Sequence, residues 1–69
     1  MNVVEIELNG APHLLSEGSS VADLVAALDL AGRALAIAVN REVVPRQAWQ
    51  ARCLQPRDRV DIVKAIGGG

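Results

Sequence analysis

The chain ends Ile66-Gly67-Gly68-Gly69, directly after an apolar run over residues 60–66. Read as the protein's own terminus, Gly69 presents a free carboxylate whose carbon is uncrowded on both faces. Glycine has no Cβ, so Gly67 and Gly68 reach backbone conformations closed to other residues and pass through a narrow channel. Such an end suits a carboxylate that another enzyme must reach, activate and attack. A chain end without a task can have the same composition, so the glycines alone leave both readings open.

Little else in the chain is equipped for chemistry. Cys53 and His13 are the only residues of their kinds, which excludes an internal disulfide and makes a poor zinc set. A sulfur-carrying Cys53 would need surroundings that stabilise its thiolate. Arg52 beside it is thin support, so a small buried or half-buried Cys is the expected role. His13 has no second His or nearby Cys with which to hold a metal. Trp49 is the sole aromatic residue; it is expected to close one end of the core with its N–H bonded, the other reading being a binding hot spot. Lys64, the only Lys, does not argue for conjugation. No Ser/His/Asp set, phosphate-binding loop or paired carboxylates with a clear task are present.

These residues must be placed by a small body. At 69 residues the chain is one domain, of a size that buries only about 60% of the surface its unfolded form exposes. With 51% hydrophobic and 22% charged residues, an aliphatic core is available and the composition argues against disorder. The formal net charge is −1, and Arg41, Arg46, Arg52, Arg57 and Arg59 are irregularly spaced, as on a solvated surface. A nucleic-acid partner is not expected. Glu5 and Glu7 stand where a signal peptide would be apolar, and no long apolar run occurs; a cytoplasmic protein with no membrane contact is expected.

Two periodicities organise the chain. Val4, Ile6 and Leu8 alternate with Val3, Glu5 and Glu7 as in a half-buried strand. Asn9-Gly10 is a hairpin turn signal, and residues 11–15 return as a second strand. The period then changes: Val21, Leu24, Val25 and Leu28 form one stripe of an amphipathic helix. Ser20 is placed to cap it with Asp23 three residues on, and Gly32 is placed to end it. Leu35, Ile37 and Val39 alternate with Ala34, Ala36 and Ala38. Asn40-Arg41 turns the chain into a short strand over residues 42–44, which Pro45 stops. Residues 46–52 suggest a single helical turn, residues 55–58 a turn, and residues 60–64 a last strand. The order β-β-α-β-β-β predicts an α+β domain, its one helix packed across one face of a mixed sheet and supplying the crossover that parallel strands need.

With the Asn9-Gly10 hairpin, residues 36–40, residues 43–49 with Pro45-Arg46 and Trp49, and residues 60–69, the whole chain resembles the ubiquitin-like β-grasp family. Within it, the chain is most similar to the sulfur carriers of thiamine biosynthesis. The Pro45-Arg46 and Trp49 stretch is the more specific sign, since several β-grasp proteins share a terminal Gly-Gly. The resemblance implies a single β-grasp domain over residues 1–69, with a folded body of about residues 1–64 and a flexible glycine tail of about residues 65–69.

It further implies a co-substrate rather than an enzyme, monomeric when free and binding no cofactor of its own. An E1-like adenylyltransferase would use ATP to adenylate the Gly69 carboxylate. A persulfide donor of the cysteine desulfurase type would convert the adenylate to a thiocarboxylate, and thiazole synthase would take its sulfur. Gly67 and Gly68 would thread the tail. Two alternatives stay open: a carrier of another pathway, such as the small subunit of molybdopterin synthase, and a β-grasp interaction module whose glycine end is incidental.

Ordering three glycines in a partner's channel costs roughly 1–2 kcal/mol each, so the body must supply docking contacts. With Val60 and Ile62 toward the helix, Asp61, Val63 and Ala65 face away, on the side of Ala36 and Ala38. Val63, Ala65 and Ile66, bordered by small alanines, are the expected docking surface; the other reading of Val63 is an isolated exposed aliphatic.

Overall fold

Five strands and one α-helix follow from the two periodicities. The computed structural model describes residues 2–30 and 32–64, so Ala65, Ile66, Gly67, Gly68 and Gly69 lie outside the described residues. The elements are β1 (Val3–Leu8), β2 (Ala11–Ser16), α1 (Val21–Ala27), β3 (Leu35–Val39), β4 (Glu42–Val43), a 3₁₀ turn (Arg46–Ala48) and β5 (Arg59–Lys64). The sheet order is β2-β1-β5-β3-β4. The last strand is therefore central, parallel to β1 and antiparallel to β3. This is the mixed sheet with one helix that the order of elements predicts.

Local chemistry explains the elements. Asn9 and Gly10 have φ of 49° and 85°, positive at both central positions as a type I′ hairpin requires. Asn40 and Arg41 do the same for β3 and β4, at 53° and 70°, although Arg41 has none of glycine's freedom. Helix α1 begins with a full capping box: the Asp23 N–H donates to Ser20 Oγ at 3.1 Å, and the Ser20 N–H donates to Asp23 Oδ2 at 3.0 Å. Together they satisfy donors that the first turn leaves unpaired.

The end of the helix differs from the expectation. Gly32 does not terminate it; Leu28 is the C-cap and Asp29 takes the left-handed conformation, with φ 59°. The Asp29 N–H donates to the Ala26 carbonyl at 3.1 Å and the Leu30 N–H to that of Val25 at 3.0 Å, the paired bonds of a Schellman motif. Leu30 then packs against the core, which fixes the stop one turn earlier than glycine placement suggests. Gly32, also at positive φ (86°), serves the following loop.

The core lies between α1 and one face of the sheet. Ile6 from β1, Val21, Leu24 and Val25 from α1, Ile37 and Val39 from β3, and Val60 from β5 are all buried. Trp49 closes one end as expected, buried, with its Nε1–H donating to the Val44 carbonyl at 2.9 Å. Cys53 departs from its expected setting: it is exposed, in an isolated bridge opposite Ser20. Its backbone aligns the loop against the helix start, which leaves the side chain outside the core.

Candidate functional site

The site is built on β5, because β5 leads to Gly69. Its register with β3 pairs Val60 with Val39, Asp61 with Ala38, Ile62 with Ile37, Val63 with Ala36 and Lys64 with Leu35. Since cross-strand partners share a face and side chains alternate, Val60 and Ile62 point to the core while Asp61 and Val63 point away. Val63 is 63% exposed, on the outer face with Ala36 and Ala38 as parity predicts. Of the three expected docking residues, Val63 is thus placed; Ala65 and Ile66 lie outside the described residues, as do Gly67, Gly68 and Gly69.

That outer face carries more than the sequence suggests. Leu14 pairs with Glu5, Val3 with Ser16, Glu7 with Arg59, and Val43 with Ala38. Val3, Leu14, Val43 and Val63, the large exposed hydrophobic residues among those described, therefore all lie on the face opposite α1. Between them runs a charged strip in which Arg59 Nε approaches Glu7 at 3.7 Å and Asp61 at 3.6 Å. With about half of each Arg59 and Glu7 side chain in solvent, these pairs contribute little to stability. Their effect is to separate the Val63 side of the face from the Val3 and Leu14 side.

Beside Val63 a shallow, mainly apolar groove is lined by Ala34, Leu35, Ala36 and Arg46. Arg46 is held in place from two directions: its Nη2 donates to the Arg33 carbonyl at 2.8 Å, and its guanidinium lies 5.0 Å from the centroid of the Trp49 ring, within range of a cation–π contact. The Arg46 and Trp49 pair that carried the resemblance therefore ties the loop after the helix to the rim of this groove. The sequence offered the two residues at helical spacing but gave no sign of the Arg33 carbonyl.

The start of β5 is fixed by polar side chains. Asp58, buried, accepts from Asn40 Nδ2 at 3.1 Å and from the Gln55 N–H at 2.8 Å. Asn40 Oδ1 accepts from the Arg59 N–H at 3.0 Å, and Asn9 Oδ1 accepts from the Ile62 N–H at 2.8 Å. Sequence reading finds both asparagines as turn formers and misses their reach into β5, a contact between residues far apart in the chain. His13, on β2, is half-buried. Among the described residues there is no cluster of three His, Cys, Asp or Glu that could hold a metal ion, and no helix is long and apolar enough to cross a membrane.

What this arrangement can do is present an end. The body offers an apolar margin beside β5, the strand that leads toward Gly69. Comparison with known proteins places the chain among similar ones. The ThiS family model matches residues 2–69. Over 66 residues the chain is 29% identical to the sulfur carrier protein ThiS of Escherichia coli, covering 96% of this chain and 100% of that one. It is 36% identical to part of a thiazole synthase of Magnetococcus marinus, where the match covers 96% of this chain but spans only 20% of the synthase. The crystal structure of a thiamine biosynthesis protein (ThiS) from Geobacter metallireducens matches with a TM-score of 0.82 at 29% sequence identity, over 96% of this chain and 100% of that one.

Proposed function

The chain belongs to the ThiS family, and on that premise we propose that it is a sulfur carrier of thiamine biosynthesis whose reacting group is the Gly69 carboxylate. The observation that carries the reading is the family match, which runs through the glycine end to Gly69. A carboxylate is a poor electrophile, because its negative charge repels nucleophiles and its leaving group would be an oxide. Attack of the Gly69 carboxylate on the α-phosphate of ATP, in the active site of an E1-like adenylyltransferase, releases pyrophosphate and forms an acyl-adenylate. That step removes the charge and installs AMP as a good leaving group.

Sulfur from a persulfide, supplied by a donor of the cysteine desulfurase type, then displaces AMP, and reductive cleavage of the resulting acyl disulfide by a thiol leaves a thiocarboxylate. Thiazole synthase takes the sulfur, a partnership supported by the similarity to part of the Magnetococcus synthase. In this reading the carrier acts as a co-substrate, and ATP is bound by the partner. Gly67 and Gly68 give the slimness needed to thread the partner's channel. Val63, with Ala65 and Ile66, docks the body.

The test is ATP–pyrophosphate exchange by an adenylyltransferase active on its own carrier. Exchange that depends on this chain, and that stops when a residue is appended after Gly69, supports the reading. Exchange that is absent, or indifferent to the appended residue, refutes it.

A further inference from the structure

The two sides of β5 are unequally held. Toward β3 it has five cross-strand pairs, ending at Leu35 with Lys64. Toward β1 it has two, Glu7 with Arg59 and Leu8 with Val60, because β1 turns away at Asn9-Gly10. Asn9 continues the ladder past that point. Its N–H donates to the Val60 carbonyl at 2.9 Å, and its side-chain Oδ1 accepts from the Ile62 N–H at 2.8 Å. The side chain thus stands where the next carbonyl of β1 would stand had the strand gone on. A φ of 49° makes this possible, and Asn is one of the few residues that tolerates that conformation.

We infer that Asn9 is a positioning residue: by holding Ile62 from the β1 side it fixes the direction of β5 as the strand leads toward Gly69, and so sets how the carboxylate is offered to the adenylyltransferase. The inference rests on the carrier reading. From Ile62 the carboxylate is seven residues away (63 through 69), a reach of at most about 23–25 Å, so the direction of departure decides where Gly69 can arrive. Without the Asn9 oxygen, the end of β5 is held from one side only. Ordering it then becomes part of binding the partner, which weakens association without altering the chemical step.

Three variants separate this role from simple stability. Asn9→Gly keeps the turn, since Gly-Gly suits a type I′ hairpin, but removes the acceptor. Asn9→Asp restores an acceptor oxygen. Asn40→Gly removes comparable bonds, to the Arg59 N–H and to Asp58, at the far end of the same strand. In pyrophosphate exchange, Asn9→Gly is expected to raise the KM for the carrier about fivefold, the equilibrium equivalent of one net hydrogen bond, with kcat retained. Asn9→Asp returns it toward wild type, and Asn40→Gly leaves it unchanged. The Ile62 amide exchanges hydrogen faster in Asn9→Gly and not in Asn40→Gly. A wild-type KM in Asn9→Gly, or an equal rise in Asn40→Gly, overturns the inference. If the wild-type chain supports no exchange, the carrier reading fails and this role falls with it, whereas the Ile62 amide still reports whether the Asn9 contact holds the strand.

Discussion

Replacing Val63 with Asp separates docking from folding. Val63 is 63% exposed on the outer face, paired with Ala36, so the folded body gains little from its side chain. Full burial of a Val side chain stabilises by about 1.5–3 kcal/mol. With close to two-thirds of it still in solvent, about 1–2 kcal/mol remains to be gained on docking. That corresponds to roughly a 5- to 30-fold change in the KM for the carrier, before the desolvation of a new carboxylate is added. The cost to folding is bounded by strand propensity, at about 1 kcal/mol, out of a stability of about 3–10 kcal/mol for a chain of this length. Urea unfolding followed by the fluorescence of Trp49, the sole aromatic residue, reports folding, and pyrophosphate exchange reports KM. The expected result is a KM raised at least about fivefold in a protein that unfolds cooperatively. A folded Val63→Asp variant with wild-type KM would refute the docking argument, leaving Val63 an isolated exposed aliphatic.

Two further substitutions test the scaffold. Asp29→Gly relieves a left-handed residue at φ 59° and should stabilise by about 0.5–1 kcal/mol after the added freedom of the unfolded chain is subtracted. Its melting temperature should rise by roughly 2–8 °C, and a fall would show that the aspartate side chain contributes more than its backbone conformation costs. Trp49→Phe deprives the Val44 carbonyl of its indole donor and leaves a smaller ring under Arg46; a loss of about 1–3 kcal/mol by circular dichroism in urea is expected, and no loss would mean that the indole N–H contributes nothing to the core.

The local chemistry of the chain was readable, and its long-range contacts were less so. The Asn9-Gly10 hairpin, the Ser20 and Asp23 cap and the apolar stripe from Val21 to Leu28 declare themselves because each depends on residues within a few positions of one another. The parity of β5 is equally legible, and it alone puts Val63 on the outer face. Strand order was not legible, since no periodicity says that the last strand inserts between β1 and β3. The helix end was misplaced because the rule favouring glycine points to Gly32, while the packing of Leu30 sets the stop at Leu28 and leaves Asp29 in the left-handed conformation. Cys53 reads by type as a buried or half-buried residue, but its backbone bridge to Ser20 holds it at the surface. The reach of Asn9 to Ile62 joins opposite ends of the chain, and turn propensity explains the residue without showing what its side chain holds.

The most direct test of the central claim is the intact mass of the protein after incubation with ATP, an adenylyltransferase proven on its own carrier, and a cysteine-fed persulfide source. A gain equal to replacing one oxygen by sulfur is predicted on the C-terminal peptide. It should vanish when Gly69 is deleted and revert as thiazole forms once thiazole synthase is added. An unchanged mass under those conditions would contradict the carrier account.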